Sequence, residues 1–479
     1  MLTESYFSSV SGPPITNNTA VAKDVGIYEH TLHPSHATPS TFKKSSVPRH
    51  GLAVSDTHVF AAQDDKSTVH VYARGSGGGR GGGGGGGGNH QEAVVTFPER
   101  IRSVLLQGDV LFLGTQEGRI IVWEVCTGRQ VTTRACHIQA VTCLAATPLH
   151  LLSGSDDSNV HVWSIPRLLA LDPTVEHEPE QTLSNHRAAV TDVAAGPGVN
   201  PDTAVCVSAS RDRSCIVWNY QQGAGGVALR TLLFPAAPLC VSLDPCARAL
   251  YASAEDGSVY AVDLFGTAEK PSSLLGPQGV EESGAGATAI QVSSAFGAAP
   301  PEAGPASCLA VSYDGTVLLS GHPRGQILRW DLSSRADSTE LANLNASVTN
   351  LVCVSPLPPS AATATRPVTV VRPFLGSRTY NFTAQLTSDI QTTTATGGDG
   401  NGGDDDESRF AKMLGARGFP AESLQQAILA LQQPTAAGDV VGDQELRTEN
   451  EELWEIINEQ RALQKKTLER YIEAKSTTA

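Results

Sequence analysis

The chain has 479 residues, of which 40% are apolar, 17% charged and 5% aromatic. Its 34 basic and 49 acidic residues give a net charge of −15, which argues against a protein that coats nucleic acid. The apolar content allows a buried core over most of the length, so we expect disorder only locally. With 46 Gly and 28 Pro, the composition favours an all-β chain with many turns.

The nine cysteines form no Cys-x-x-Cys pair and no Cys/His cluster at metal-ligand spacing. We therefore predict neither a disulfide framework nor a metal site, and no cofactor, in a reduced intracellular environment. The segment Met1–Ala20 lacks the basic start and apolar run of a signal peptide, and no apolar run is long enough to cross a bilayer. The expectation is a protein that is neither secreted nor held in a membrane.

Composition marks three seams in the chain. Gly75–Asn89 is almost pure glycine, Thr267–Pro305 is rich in Gly, Ala, Ser and Pro, and Thr387–Glu407 ends in the acidic run Asp404–Glu407. Such segments are typical of loops or flexible linkers. The predicted regions are a repeat domain (1–386) with inserts at 75–89 and 267–305, an acidic disordered linker (387–409), a short helix (410–433) and a C-terminal helix (443–475).

Between the seams one unit recurs: an apolar strand, a polar turn, and an alternating strand that ends in an aromatic residue. The copies are Leu111–Val125, Leu151–Ile165, Cys206–Tyr220, Leu250–Leu264, Leu318–Leu332 and a weaker one at Val59–Ala73. The ending positions are Tyr72, Trp123, Trp163, Trp218, Val262 and Trp330, with Tyr28 as a candidate first member.

The shortest interval, from Trp123 to Trp163, is 40 residues, which matches propeller blades of about 40–45 residues. Seven ending positions predict a seven-bladed β-propeller from Met1 to about Leu386, with N-terminal strand material pairing into the last blade. Such closure leaves only short, protected sheet edges.

Two repeats carry a further polar pattern with identical offsets from the Trp. The sets are His137, Ser155, Asp157 and Trp163, and His186, Ser210, Asp212 and Trp218. An indole N–H, a hydroxyl, an imidazole and a carboxylate can satisfy one another when buried, and the pattern resembles the structural tetrad of WD-repeat proteins. A His/Ser/Asp catalytic triad is the alternative, but it needs one exposed nucleophile in a cleft. Because the set occurs twice at one repeat phase, we predict a structural role and no catalytic residues.

The other copies depart from this pattern. Val262 replaces the Trp in one copy, Arg324 stands at the Asp offset before Trp330, and Glu117 stands there before Trp123. We expect those blades to hold by packing alone. Divergent repeats suit a subunit that contacts several partners.

The C-terminal part is rich in helix formers. In 443–475, which lacks Gly and Pro, the interacting residues are predicted to be Leu446, Asn450, Leu453, Ile457, Leu463 and Tyr471. An isolated helix of this kind needs a partner helix to bury its stripe. The alternatives are packing on the propeller, self-association, or capture of another subunit, with Asn450 setting the register.

The stretches HIQAVTCLA, LLSGSDDSNVHVWSIPRLL, HRAAVTDV, SASRDRSCIVWN, LYASAEDGSVYAVDLF and NEELWEII, taken in this order, resemble the WD-repeat subunits of the large-subunit pre-ribosome maturation complex. The fungal members of that family act in processing of the second internal transcribed spacer of pre-rRNA, and similar WD-repeat proteins occur in animals. The resemblance covers Cys136–Leu264 best. Poly-Gly and Pro/Ala-rich inserts depart from the family pattern.

The resemblance implies a non-enzymatic scaffold of the nucleus, in nucleoplasm and nucleolus, that docks on the pre-60S particle. Implied partners are a helical-repeat scaffold subunit, an armadillo/HEAT-like subunit and the AAA ATPase midasin, with a homodimer through the C-terminal helix. A role in DNA replication licensing is implied as well. We expect no direct sequence-specific nucleic-acid binding and no membrane contact.

Two other classes remain open from the residues. A substrate receptor of a ubiquitin ligase, or another nuclear adaptor, would use the same propeller. A propeller enzyme would need a carboxylate or metal set in the central channel, which the sequence does not indicate. Candidate contact surfaces are the loop Ile165–Leu171 and the C-terminal stripe.

Overall fold

The structure is a computed structural model. It describes residues 4–13, 15, 25–33, 35–43, 45–74, 91–171, 177–198, 200–201, 203–223, 225–264, 288–333, 338–356, 369–373 and 385. The predicted linker 387–409, both predicted C-terminal helices and the glycine-rich insert lie outside these residues, as does the whole predicted oligomerisation stripe. No helix of the described chain is long and apolar enough to cross a membrane.

The described residues form short β-strands and a single one-turn helix. The strands are β1 (Glu4–Ser11), β2 (Val25–His33), β3 (Ala37–Lys43), β4 (Leu52–Val54), β5 (His58–Ala62), β6 (Thr68–Ala73), β7 (Gln91–Thr96), β8 (Ile101–Gln107), β9 (Val110–Thr115), β10 (Ile120–Glu124), β11 (Gln130–Thr132), β12 (Val141–Ala146), β13 (His150–Ser155), β14 (Val160–Ser164), β15 (Gln181–Leu183), β16 (Val190–Ala195), β17 (Val205–Ser210), β18 (Ser214–Asn219), β19 (Val227–Leu233), β20 (Pro238–Leu243), β21 (Ala249–Ala254), β22 (Ser258–Asp263), β23 (Thr288–Gln291), β24 (Gly297–Ala298), β25 (Cys308–Val311), β26 (Val317–Gly321), β27 (Gln326–Asp331), β28 (Thr339–Asn343) and β29 (Ser347–Val354). The helix is α1 (Ile165–Leu168).

These strands make seven sheets, which we number as blades; all strand pairs are antiparallel except β19–β23. Blade 1 contains β4–β7, blade 2 β8–β11, blade 3 β12–β15, blade 4 β16–β19 with β23, blade 5 β20–β22 with β24, blade 6 β25–β28, and blade 7 β29 with β1–β3. The first strand of each blade packs against the first strands of its neighbours, and contacts of β29 with β25 and β4 close the ring. The predicted seven-bladed all-β propeller is confirmed.

The hairpin at the centre of each repeat depends on a tight turn between its second and third strands. Ser158 in blade 3 has φ of 69°, five residues before Trp163, and Gly118 and Gly257 at the same offset in blades 2 and 5 have φ of 77° and 83°. This left-handed backbone conformation favours glycine and small polar residues. The repeat is therefore set by backbone geometry as well as by apolar alternation.

Blade 7 closes the ring with strands from both ends of the chain. Its order is β29-β1-β2-β3, so three strands come from the N-terminal part and the innermost strand comes from residues 347–354. The strands β1 and β29 run antiparallel, with Phe7 opposite Val352. The predicted pairing of N-terminal strand material with the last blade is confirmed.

His30 rather than Tyr28 holds the aromatic position of blade 7. His30 lies opposite Tyr6, as Trp163 lies opposite Leu151 in blade 3. Its Nε2 is 2.9 Å from Ser8 Oγ, and its side chain is fully buried. The predicted position was wrong by two residues because alternate residues of a strand share one face. The burial of His30, next to His36, lowers its pKa to about 3.

Adjacent blades are joined by side-chain hydroxyls that bond carbonyls of the next blade. Thr142, Thr191 and Thr349 donate to the carbonyls of Val190, Pro238 and Val47 at 3.1, 2.9 and 2.8 Å. Ser103 and Ser253 make equivalent bonds to the carbonyls of Val141 and Ala306, and Ser307 donates to Val348. A belt of hydrogen bonds therefore supplements apolar packing between blades.

The segment 267–305, predicted as a loop, contributes strands in its described part. β23 pairs in parallel with β19, with Arg230 opposite Thr288, and becomes a fifth strand on blade 4. β24 has two residues and pairs only with Ser258 and Val259 of β22. The prediction missed both strands because Gly- and Ala-rich segments carry a weak strand signal. Blade 5 thus has a much shorter outer strand than its neighbour.

Candidate functional site

Blade 3 contains a continuous buried network from an indole to a carboxylate. Trp163 Nε1–H donates to Ser153 Oγ at 2.9 Å, and Ser153 Oγ is 2.9 Å from His137 Nε2. His137 Nδ1 is 3.0 Å from Asp157 Oδ2, which also accepts the Ile138 amide at 2.9 Å. The imidazole of His137 therefore connects the serine hydroxyl to the carboxylate through its two ring nitrogens. The network links β13, β14, the turn between them and the loop that enters the blade.

Blade 4 repeats the same network. Trp218 Nε1–H donates to Ser208 Oγ at 2.8 Å, and Ser208 Oγ lies 2.7 Å from His186 Nε2. His186 Nδ1 is 3.1 Å from Asp212 Oδ2, which accepts the Arg187 amide at 2.9 Å. The predicted His, Asp and Trp residues are therefore brought together in both blades.

The serines of the two networks differ from the predicted ones. Ser153 and Ser208 bond the indole and imidazole, whereas Ser155 and Ser210 donate to the carbonyls of Gln139 and Ala188. Leu151 is the residue directly opposite Trp163 on the neighbouring strand. Measured along that strand from Leu151, Ser153 is two residues, or about 7 Å, away, and Ser155 is four residues, or about 13 Å, away. The indole reaches the nearer serine.

The carboxylates are held ionised by the groups around them. Burial would raise the pKa of Asp157, but hydrogen bonds from His137 and from the amides of Asn159 and Ile138 outweigh it and lower the pKa to about 2. The pKa of Asp212 is also lowered, since hydrogen bonds from His186, Ser214 and the Arg187 amide overcome the effect of burial. Each network joins a carboxylate to a serine with no exposure to solvent. A fully buried hydroxyl cannot act as a nucleophile on a substrate, so the arrangement is structural.

Blade 6 has a shorter version that sequence analysis missed. Trp330 Nε1–H donates to Ser320 Oγ at 2.8 Å, and Ser320 Oγ is 2.9 Å from His322 Nε2. His322 Nδ1 donates to the carbonyl of Gly304 at 2.8 Å in place of a carboxylate. The expectation that this blade holds by packing alone was therefore wrong. The Ser-x-His spacing in LLSGH was the available signal.

In blade 2 a segment distant in sequence provides the hydrogen-bond acceptor for the indole N–H. Trp123 Nε1–H donates to the carbonyl of Val371 at 3.0 Å, and the Val371 amide donates to Val125 at 2.9 Å. Gln385 Nε2 donates to the carbonyl of Cys126 at 2.8 Å. A side chain on Gly128 would meet Val371 at 2.6 Å, so the glycine permits this approach. The expectation of packing alone was wrong here too.

Three titratable residues, two before blade 1 and one in blade 4, lie close together. Arg49 and His50, which precede blade 1, lie 3.9 and 3.8 Å from the carboxylate of Asp192 in blade 4. Asp192 also accepts the amides of Val193 and Val241 at 2.8 and 2.9 Å. Within the described chain, no group of three His, Cys, Asp or Glu residues could hold a metal ion. The cluster therefore connects the loop before blade 1 with blade 4.

The predicted contact loop Ile165–Leu171 is partly internal. Ile165 and Leu168 of α1 are buried, and Arg129 donates to the carbonyl of Leu169 at 2.9 Å. Leu171, by contrast, is 75% exposed. The end of this loop alone presents apolar surface, and the proposed contact stays a prediction.

The family described as WD domain, G-beta repeat, matches residues 128–164 and 177–219, which include all of blade 3 and the first three strands of blade 4. Together with the seven blades and the repeated His-Ser-Trp-Asp network, this match shows a seven-bladed β-propeller with WD repeats in blades 3 and 4.

Among similar proteins, the pre-rRNA-processing protein IPI3 of Yarrowia lipolytica is 30% identical over 296 residues, covering 60% of this chain and 63% of that protein. The protein ROOT INITIATION DEFECTIVE 3 of Arabidopsis thaliana is 30% identical, covering 51% of each chain. The human WD repeat-containing protein 18 is 30% identical, covering 48% of this chain and 49% of the relative. The chain thus spans about half to three fifths of the length of these relatives, and it is similar to WD-repeat proteins of which the fungal ones are named for pre-rRNA processing, as the resemblance predicted.

Proposed function

We propose that the protein is a non-enzymatic scaffold in large-ribosomal-subunit assembly and acts in pre-rRNA processing, including that of the second internal transcribed spacer. The observation that carries this proposal is the similarity to a fungal pre-rRNA-processing protein, at 30% identity over 296 residues. A second fungal relative, from Schizosaccharomyces pombe, has a name of the same meaning and covers 68% of this chain at 23% identity. A nuclear and nucleolar location follows from this role.

The mechanism we propose is display of partner sites on a rigid ring. Strand pairing of β1 with β29, the hydroxyl belt and the buried networks fix blade positions before a partner arrives. A preformed scaffold loses little conformational entropy when it binds. Such a surface can hold several assembly factors in defined positions without chemistry of its own.

The buried networks support a non-enzymatic role. The serine, histidine and aspartate residues that would suggest a triad are occupied with one another and with an indole, and Ser153 and Ser208 are fully buried. A hydrolytic site needs a nucleophile and an oxyanion site open to substrate. These residues therefore stabilise blades.

The partners we propose are a helical-repeat scaffold subunit, an armadillo/HEAT-like subunit, the AAA ATPase midasin and the pre-60S particle, with dimerisation through the C-terminal stripe. A net charge of −15 favours contact with protein subunits and leaves RNA contacts to basic partners. A dimer would raise the effective concentration of each propeller for bivalent partners.

Depletion of the protein in its own organism, followed by hybridisation of total RNA with spacer probes, tests the proposal. We expect precursors that contain the second internal transcribed spacer to accumulate, and the intact chain to restore processing. Normal precursor levels after depletion would contradict the role. Co-purification with a cullin adaptor in place of ribosome-assembly factors would favour the ubiquitin-ligase receptor instead.

A further inference from the structure

Three arginines surround the carboxylate end of the buried network in blade 4, and we call them the arginine patch. Arg211 and Arg213 flank Asp212 in the turn between β17 and β18, and Arg187 lies in the loop that enters the blade. The Arg187 amide donates to Asp212 Oδ2 at 2.9 Å, and the Arg211 amide donates to the carbonyl of Ala189 at 3.0 Å. These bonds hold the loop against the turn, so the three side chains start from one small area of one face of the ring.

The arginine patch is exposed, and its charge is not neutralised within the described part of the chain. All three arginines are exposed, and none of their side chains forms an ion pair or hydrogen bond with another described residue. The carboxylate of Asp212 is held by hydrogen bonds within the network. In blade 2, by contrast, Arg119 of the corresponding turn pairs with Glu99 at 2.9 Å. The guanidinium groups of blade 4 are therefore available to an anionic ligand.

An exposed isoleucine occupies the equivalent loop position of the neighbouring blade. Ile138 follows His137 in blade 3 as Arg187 follows His186 in blade 4, and its amide bonds Asp157 in the same way. Ile138 is 88% exposed, more than any other large apolar residue of the described chain. Apolar and basic surface therefore lie on adjacent blades of one face.

Acidic side chains lie on both sides of the arginine patch. Asp156 is half-buried in the corresponding turn of blade 3, and Glu255 and Asp256 are exposed in that of blade 5. A nucleic-acid backbone that crossed several blades would meet these carboxylates, in a chain whose net charge is already −15. A short peptide needs only the width of one or two blades. The distribution of charge therefore favours an acidic peptide as the ligand.

The chain's own acidic run is a weaker candidate for this surface. Asp404–Glu407 contains four acids in a row, and Arg409 and Lys412 follow within five residues. Those two cations reduce the attraction of the run to a basic surface. A partner segment with acids on both sides of an apolar residue fits the arginines and Ile138 together.

We propose that the arginine patch, together with Ile138 on the neighbouring blade, binds an acidic segment of a partner protein that carries an apolar residue among its Glu or Asp residues. Guanidinium groups form paired, charge-assisted hydrogen bonds with carboxylates, and clusters of arginines recognise acidic motifs in this way. The loop and turn are already fixed by the buried network, so little ordering is required on binding. The proposal does not depend on the role in pre-rRNA processing.

The test uses the full-length chain and a fluorescein-labelled peptide, Gly-Glu-Glu-Leu-Glu-Glu-Gly, in fluorescence anisotropy at low salt. We expect saturable binding that weakens as salt is added, and no saturable binding of the same peptide with Gln in place of Glu. Arg211→Gln should raise Kd about threefold to fivefold, the effect of one exposed ion pair. Arg119→Gln is the matched control and should leave Kd unchanged, because Arg119 is exposed on the same face but already paired.

A reversal of charge tests direct contact. Arg187→Glu combined with Arg211→Glu should raise Kd for the acidic peptide roughly tenfold or more, since attraction becomes repulsion. The same double variant should bind the peptide with Lys in place of Glu more tightly than the parent chain does, which a merely misfolded variant would not. Ile138→Ser should weaken binding of the acidic peptide and leave its salt dependence unchanged, because that contact is apolar.

Several outcomes would overturn the proposal. These are no saturable binding, equal binding of the Gln peptide, an equal effect of Arg119→Gln, or equal binding of the Lys peptide to the parent and the double variant. Tighter binding of a single-stranded RNA oligonucleotide, lost in the double variant, would assign the arginine patch to nucleic acid instead. A rise in peptide affinity of roughly tenfold when Asp404–Glu407 is replaced by four serines would show that the chain's own run occupies the patch, because a tethered segment competes strongly.

Discussion

Blades 4 and 5 are neighbours that differ in their buried hydrogen-bond network and in the length of their outer strand. Blade 4 has a full indole-to-carboxylate network, a complete outer strand and an additional strand, β23, on its outside. Blade 5 has Val262 in place of the Trp and a two-residue outer strand. The segment that follows β22 contributes a strand to blade 4 and leaves blade 5 short. Among the described residues, the indole network and the complete outer strand thus occur together in blade 4, and neither occurs in blade 5.

The largest effect should come from removing the indoles of the networked blades. Trp163→Ala or Trp218→Ala is expected to lower the free energy of unfolding by about 3–5 kcal/mol, because each leaves a large buried void. Val262→Ala at the equivalent position of blade 5 should cost only about 1 kcal/mol, since Val262 is half-buried. Urea denaturation of the three variants measures the difference. Equal losses of unfolding free energy for Trp218→Ala and Val262→Ala would contradict the difference in stabilisation between blades 4 and 5.

The shared serine gives the next effect. Ser153→Ala should destabilise the protein by about 1–3 kcal/mol, because Trp163 Nε1–H loses its acceptor and His137 loses its partner in a buried site. Ser155→Ala is the matched control two residues away. Its hydroxyl donates to the Gln139 carbonyl at 3.3 Å and accepts the Asp157 amide at 3.1 Å but bonds neither the indole nor the imidazole, so we expect a loss of about 1 kcal/mol. Chemical denaturation measures both variants. A larger loss of unfolding free energy for Ser155→Ala than for Ser153→Ala would show that Ser155, the predicted serine, belongs to the network.

Acid should weaken blade 7 through His30 at a higher pH than it removes the contribution of the Asp157 carboxylate in blade 3. The pKa of His30 is lowered from 6.5 to about 3 in the folded chain, so the unfolded chain takes up a proton first as pH falls. Stability from neutral His30 is complete above about pH 6.5 and declines below it, by about 2 kcal/mol at pH 5.

The carboxylate of Asp157 follows at lower pH. Its folded pKa of about 2 lies below the usual value of 3.8, so its contribution to stability is present above about pH 4 and is lost toward pH 2. Denaturation midpoints should be measured at pH 7, 5 and 3 for the parent chain and for the variants His30→Asn and Asp157→Asn. The comparison separates the pH range in which His30 acts from the lower range in which Asp157 acts. A loss between pH 7 and 5 that persists unchanged in His30→Asn would contradict the assignment.

The smallest effect should come from the belt between blades. Thr191→Val keeps the side-chain volume but removes the hydroxyl that bonds the Pro238 carbonyl at 2.9 Å between blades 4 and 5. We expect a loss of about 1 kcal/mol, the usual net value of one such hydrogen bond. Thermal melting measures it, and Thr191→Ser should recover most of the loss. No change in Thr191→Val would show that the Thr191 hydroxyl does not stabilise the contact between these blades.

The propeller fold could be predicted from the sequence, but the individual hydrogen bonds between its strands and segments could not. Blade number, closure and the pairing of His137 and His186 with Asp157 and Asp212 follow from repeat spacing. The choice of Ser153 over Ser155 depends on strand register, which spacing from the Trp does not reveal. The bond from Trp123 to the Val371 carbonyl joins residues 248 positions apart, and the carbonyl of any residue can make it.

The exchange of strands at blade 5 was equally hidden. Pairing of β23 with β19 depends on where a low-complexity segment returns to the sheet, not on a local strand pattern. His30 was missed because a histidine in place of Trp or Tyr does not fit the aromatic pattern. Its place is clear only once Tyr6 is seen opposite it.

The three-plus-one closure of blade 7 has a consequence for synthesis of the chain. Phe7 pairs with Val352, roughly 345 residues later. At about 5–20 residues per second, strands β1–β3 leave the ribosome some 17–70 s before β29 exists. During that interval the inner edge of β1, whose side chains are almost all buried in the finished ring, has no neighbour. The N-terminal hairpin is therefore the part of the nascent chain that is most exposed to incorrect strand pairing with a second copy.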